Sequence, residues 1–185
     1  MKTQRLPVKP YSISSLAELY FCTDTVVGWR NVFTSPDSFD IIIKSLDHCR
    51  KEKGLRIHGY VVMPNHVHTV LSARDSNLSD ILRDFKRFTS TEISQMLQST
   101  NNQRLLKYFS TAARRIGKGN TFKIWQSGSH PEAISTREFF YQKLNYMHDN
   151  PVRKGYVARP EHWLYSSAHN YLLHDQSILA VDMLE

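Results

Sequence analysis

Tyr60-Val61-Val62-Met63-Pro64-Asn65-His66-Val67-His68-Thr69-Val70-Leu71 joins two runs of β-branched and apolar residues through a proline and an asparagine. Such runs favour extended backbone, while Pro-Asn interrupts it. The spacing therefore predicts two neighbouring strands, over residues 56–63 and 66–73, that meet at a turn. Side chains alternate faces along a strand, so His66 and His68 project from one side and Val67 from the other. Two neutral ring nitrogens on one face can be presented to a single divalent cation.

Working outward, residues 19–27 are rich in aromatic and β-branched types and read as an earlier strand, with residues 28–34 as a connection. Ser35-Pro36-Asp37 opens a helix with a capping hydroxyl, a proline in the first turn and an acid at the positive end of the dipole. Phe39, Ile42, Ile43 and Leu46 follow at helical spacing, and Gly54 is placed to end it. A second helix is predicted over residues 78–97, with Leu78, Ile81, Phe85, Phe88 and Met96 as its buried stripe. Strand, helix, strand, strand, helix begins a ferredoxin-like α/β sandwich, an antiparallel sheet with helices packed on it. Residues 98–120, polar and then basic at Arg114-Arg115-Ile116-Gly117-Lys118, read as a connection. Residues 121–125 are the candidate fourth strand. Ser135-Thr136-Arg137-Glu138 has capping-box spacing and opens a third helix toward His148, with Pro151 marking its end. The expected organisation is one domain over 1–185, a ferredoxin-like core over 12–157 and a C-terminal tail over 158–185.

The chain of 185 residues carries a formal charge of +7 and a pI near 9.5, which suits an anionic partner. No apolar run approaches the roughly 20 residues that span a bilayer, and residues 1–11 lack the apolar core of a secretory signal. The expectation is a cytoplasmic protein with no membrane partner. Cys22 and Cys49 have no metal-like spacing and read as reduced core thiols.

On the third helix Phe140, Leu144 and Met147 share a face and should pack on the sheet. Tyr146 lies well over 100 degrees from Leu144 at ~100 degrees per residue, and Asn150 falls on its side, with Lys143 near them. A histidine pair on a strand with a phenol and an amide on a helix make a candidate metal-assisted nucleophilic site. A phenol is a weak nucleophile at neutral pH unless its electrophile is activated. A cation on His66 and His68 would polarise a phosphoryl oxygen, and Asn150 could complete its ligands. Each signal also has a plainer reading. The histidines can be a polar strand face, Tyr146 a packing residue and Asn150-Pro151 a helix stop. Arg83, Lys86 and Arg87 can be a solvated helix face, and His58, His130 and His148 structural or surface groups.

The runs Val62-Met63-Pro64-Asn65-His66-Val67-His68 and Leu144-Asn145-Tyr146-Met147-His148-Asp149-Asn150-Pro151-Val152-Arg153-Lys154-Gly155 resemble the IS200-like single-tyrosine transposases, and among them those associated with repetitive extragenic palindromes. Trp125-Gln126, Arg83-Asp84-Phe85-Lys86-Arg87-Phe88-Thr89 and Trp163-Leu164-Tyr165-Ser166-Ser167 add to the likeness. After Trp125-Gln126 this chain departs from the pattern, with Ser127-Gly128-Ser129-His130-Pro131-Glu132 where relatives place an aromatic residue and an acid. The resemblance implies a metal-dependent single-strand DNA endonuclease and strand transferase acting on hairpin DNA, with Tyr146 attacking the scissile phosphate. It implies His66 and His68 as ligands of Mg²⁺ or Mn²⁺, with Asn150 the third, and a homodimer. Candidate DNA contacts are Arg83, Lys86, Arg87, Lys143, Arg153 and Lys154. A DNA-hairpin binder that has lost cleavage and a metal-dependent phosphoesterase are the alternatives.

Overall fold

The computed structural model describes residues 19–74, 78–117, 119, 121–128 and 131–184. Residues 12–18 of the expected core, and Lys118, Ser129 and His130, lie outside them. Four strands, β1 (Leu19–Thr25), β2 (Leu55–Met63), β3 (His66–Ala73) and β4 (Glu132–Ile134), form an open sheet in the order β2-β3-β1-β4, with every neighbouring pair antiparallel. This is the ferredoxin-like order. The helices are α1 (Pro36–Glu52), α2 (Leu78–Ser99), α3 (Gln103–Arg114), α4 (Arg137–His148), α5 (Asn150–Arg153) and α6 (Ala168–Leu172).

Strand alternation divides the apolar residues between two layers. Cys22, Tyr60, Val62, Val67 and Leu71 pack with Ile42 and Leu46 of α1 and Ile81, Phe85 and Ile93 of α2. Leu19, Phe21, Val61, Met63 and Val70 face the other way and pack with Phe140, Leu144 and Met147 of α4. The histidines share the parity of Val70, so they lie on the α4 side. A bulge between Ile57 and Gly59 sets the register of β2, and α4 approaches over Gly59. A Cβ there would stand 2.7 Å from Leu144 Cδ1 and 2.8 Å from Met147 Cε.

The Pro64-Asn65 turn, the helix start at Ser35-Pro36 and the α4 face agree with the sequence reading. Several details do not. The fourth strand is Glu132–Ile134 rather than residues 121–125. Trp125 makes only an isolated bridge to Val26, then Gly128, at φ 84°, turns the chain away before it rejoins β1. The edge strand is thus broken by glycine and proline, which sheets tolerate at edges. Within 98–120 the chain forms α3, capped by the Asn102 side chain accepting from Leu105 N, with Leu106, Phe109 and Ala113 buried. On α2, Phe88 is 55% exposed and Thr89 takes the core position, its hydroxyl accepting from the Trp125 indole. The cap of α4 is Thr136, one residue later than predicted, accepting from Phe139 N. Pro151 does not end the helical path. Asp149 stays helical and Asn150–Arg153 adds a turn, with proline in its first turn where a missing N–H costs nothing.

The segment after α5 folds back along the outer edge of β2. Val62 N donates to Tyr165 O, Ser167 N to Tyr60 O, Asp182 N to Ile57 O, and the Trp163 indole to Val62 O. Among the described residues no helix is long and apolar enough to cross a membrane. Both cysteines are buried free thiols, and burial pushes Cys22 up to about 12.

Candidate active site

The two histidines stand at the start of β3, their ring centroids 4.7 Å apart. Nδ1 of His66 lies 2.7 Å from Asn65 Oδ1, and the Asn65 amide nitrogen donates in turn to the Trp29 carbonyl at 3.4 Å. That second bond fixes the amide, so its oxygen accepts and His66 must carry its proton on Nδ1, leaving a lone pair on Nε2. The Asn150 amide nitrogen lies 3.4 Å from that Nε2, so the amide would have to turn over to offer its Oδ1 to a cation held by His66. Nδ1 of His68 lies 2.8 Å from the Thr23 hydroxyl, directly across the β1–β3 ladder. In both rings a polar neighbour holds Nδ1, the arrangement that orients imidazoles as Nε2 ligands.

Burial keeps both rings neutral. It pushes His66 down to about 4, with Lys154 adding to the effect. It pushes His68 down to about 3, with His66, Arg153 and Lys143 adding in that order. Neutral imidazole is the metal-binding form.

α4 brings Tyr146 to the same place. Its ring centroid is 5.6 Å from that of His68 and meets it edge-on, while the Arg153 guanidinium covers the ring at 4.5 Å. The side chain is 43% exposed, as a reactive phenol requires, whereas Asn150 beside it is only 3% exposed. The α4 core face anchors the helix, so tyrosine, amide and both histidines are assembled within one chain.

The six candidate DNA contacts separate into two groups. Lys143, Arg153 and Lys154 surround the histidine pair. The ammonium of Lys143 is paired with Glu132 at 2.6 Å and lies over Phe21 and Phe139. Arg83, Lys86 and Arg87 stand on α2, across the sheet, paired with Asp80, Asp24 and Asp84 respectively. His148 is buried and bonded to the Ser167 hydroxyl, and His58 to Ser72 and the Asp182 carbonyl, so both are structural. Sequence reasoning missed Thr23, which becomes visible only through the strand register, and Trp29. It took Asn65 for a turn residue alone, although its adjacency to His66 was a signal.

Among the described residues no three or more His, Cys, Asp or Glu side chains gather to hold a metal. The donor set is two imidazoles and one amide. It fits a divalent cation that keeps open positions for phosphate oxygen and water, and imidazole suits Mn²⁺ better than Mg²⁺.

Fold and site together define a histidine-pair, single-tyrosine architecture. Residues 28–113 match the family model described as Transposase IS200 like, the same family that the two motifs resemble. The match contains the histidine pair and stops before α4. A solved structure of a REP-associated tyrosine transposase bound to a REP hairpin superposes with a TM-score of 0.57 at 20% identity, over 97% of this chain and 93% of the other, and so shares the fold. A presumed transposase from Deinococcus radiodurans R1 aligns at 16% identity and a TM-score of 0.41, over 80% of this chain and 97% of its own. No curated protein matches the chain.

Proposed function

We propose that the protein is a single-strand DNA endonuclease and strand transferase of the REP-associated type, acting on hairpin or palindromic DNA. The observation that carries this reading is Tyr146 set 5.6 Å from His68 on an exposed face ringed by cations, within one chain. The Tyr146 oxygen forms a bond to the scissile phosphorus while the bond to the 3′ oxygen breaks. The phenol gives up its proton to solvent, and the products are a 5′-phosphotyrosyl link and a 3′ oxygen that takes up a proton to become a hydroxyl. His66, His68 and Asn150 would hold the Mn²⁺ or Mg²⁺, which supplies charge stabilisation at the phosphoryl group. Arg153 and Lys154 bind and orient the anionic strand, and Arg153 also holds the tyrosine ring in place. The homodimer implied by the resemblance is not needed to assemble these groups, so cleavage in a monomeric fraction fits this reading. The hairpin partner is supported by the REP hairpin bound to the structure that shares this fold.

The test is incubation with a palindromic hairpin bearing single-stranded flanks, in Mn²⁺, followed by denaturing electrophoresis. The wild type should give a covalent protein–DNA adduct and Tyr146→Phe none. An equally abundant adduct from Tyr146→Phe would overturn the assignment. Hairpin binding without adduct under any divalent metal would favour a binder that does not cut. Turnover of small phosphoesters unaffected by Tyr146→Phe would favour the phosphoesterase.

A further inference from the structure

Trp29 is a large aromatic side chain, 58% exposed, beside the histidine pair, with its ring centroid 5.6 Å from that of His66. Its backbone is left-handed, with φ 55°, and follows Gly28 at φ 64°. A bulky residue rarely adopts that conformation, and such strain persists only where the surroundings enforce it. Here they do. Val26 N donates to Asn65 O, and Val32 N and Phe33 N both donate to Pro64 O, so the loop is tied across the turn that precedes His66. On the other side Tyr108 of α3 occupies the space a Cβ on Gly28 would need, and Arg30 stacks over the Tyr108 ring at 4.3 Å. The loop is fixed with the indole turned out to solvent.

From this loop a groove of about 540 Å³ runs along α3, lined by Val27, Arg104, Lys107, Tyr108, Arg115 and Lys123 among others, with no acid among the described residues that line it. The surrounding sequence explains the charge. Residues 93–131 contain six Lys and Arg and no Asp or Glu. An exposed aromatic side chain on a loop whose Val27, with the Tyr108 that Arg30 stacks over, lines a cationic groove is the pattern of single-strand binding, in which bases stack and basic side chains follow the phosphates. A paired base has no free face to offer the indole.

We propose that Trp29 and the α3 groove hold the single-stranded DNA that flanks the cleaved phosphate, with one unpaired base stacked on the indole. The proposal rests on the function argued above for its place beside the phosphate, but its test does not use cleavage. Binding of single-stranded oligo(dT) and of a blunt duplex of equal length is measured by fluorescence anisotropy in metal-free buffer over a range of salt. Trp29→Ala should weaken oligo(dT) binding about tenfold, as loss of one stacked base does, and leave the duplex unchanged. Trp29→Phe, which keeps an aromatic face, should recover most of that loss, and so excludes a folding defect. Arg104→Gln combined with Lys107→Gln should flatten the salt dependence for oligo(dT) by about two phosphate contacts. Unchanged oligo(dT) binding by Trp29→Ala would overturn the proposal, and an equal loss on the duplex would reassign the surface to a hairpin stem. If this pattern holds while Tyr146 forms no adduct, the cleavage reading fails and the binding track stands.

Discussion

His66 has one available protonation pattern because three residues in series decide it. The Trp29 carbonyl orients the Asn65 amide, Asn65 accepts from Nδ1, and the lone pair is left on Nε2 facing Asn150. Thr23 holds His68 from the neighbouring strand. Removing such a partner typically costs 10–100-fold in metal affinity. Thr23→Val keeps the β-branched shape and deletes only the hydroxyl. It should therefore weaken Mn²⁺ binding about tenfold or more, read by titration calorimetry, with little change in melting temperature. Unchanged affinity would mean that His68 is oriented by packing alone. That His66 and His68 share one strand face, and Tyr146 and Asn150 one side of a helix, was legible in the sequence because strand and helix periodicities fix facing. Thr23 was not, because cross-strand partners depend on register.

Helix α4 lies as close to the sheet as it does because β2 offers Gly59 beneath it. A methyl at that position meets the ends of Leu144 and Met147, flexible atoms that can shift. Gly59→Ala should thus cost about 1 kcal/mol, at the low end for overpacking. The same shift should displace Tyr146 from His68, so adduct formation should fall more than stability does, measured by single-turnover cleavage beside urea denaturation. A rate unchanged at that loss of stability would show that the α4 position tolerates the displacement. The interior face of α4 was readable as Phe140, Leu144 and Met147. By contrast α3 carries Leu106, Phe109 and Ala113 at helical spacing, but polar Ser-Thr-Asn-Asn-Gln before it and the basic cluster after it made the whole stretch read as a connection. The edge strand escaped reading because it is broken, with a single bridge at Trp125 and three residues at β4.

Across the whole molecule, several histidines are buried neutral, and acid must work against the fold through them. His58 has its ordinary value lowered, mainly by burial, with Arg56 opposing its charge and Asp182 partly offsetting both. His148, also by burial, is pushed down to about 3. In the unfolded chain each takes a proton near pH 6.5, so the unfolded state binds more protons below that pH. Their contribution is complete above pH 6.5 and is lost as the pH falls toward the lowered folded values. Urea unfolding should therefore show stability declining steeply from pH 6.5 to 4.5. His58→Gln should flatten that slope by up to one proton, about 1.4 kcal/mol per pH unit. An identical slope in the variant would remove His58 from the account. The sandwich architecture was legible because the β1–α2 pattern is periodic and punctuated. The placement of residues beyond 158 was not, since backbone pairing along an edge leaves little mark on composition.

That edge pairing has a consequence in time. The partners of β2 come from far along the chain, Ser167 lying 107 residues beyond Tyr60 and Asp182 lying 125 beyond Ile57. At translation rates of about 5–20 residues per second, β2 leaves the ribosome roughly 5–20 s or more before they are made. For that interval each nascent chain carries an open strand edge, and polysomes bring many such edges together. The sheet border that is sealed in the folded protein is the place where unfinished copies are most exposed to one another.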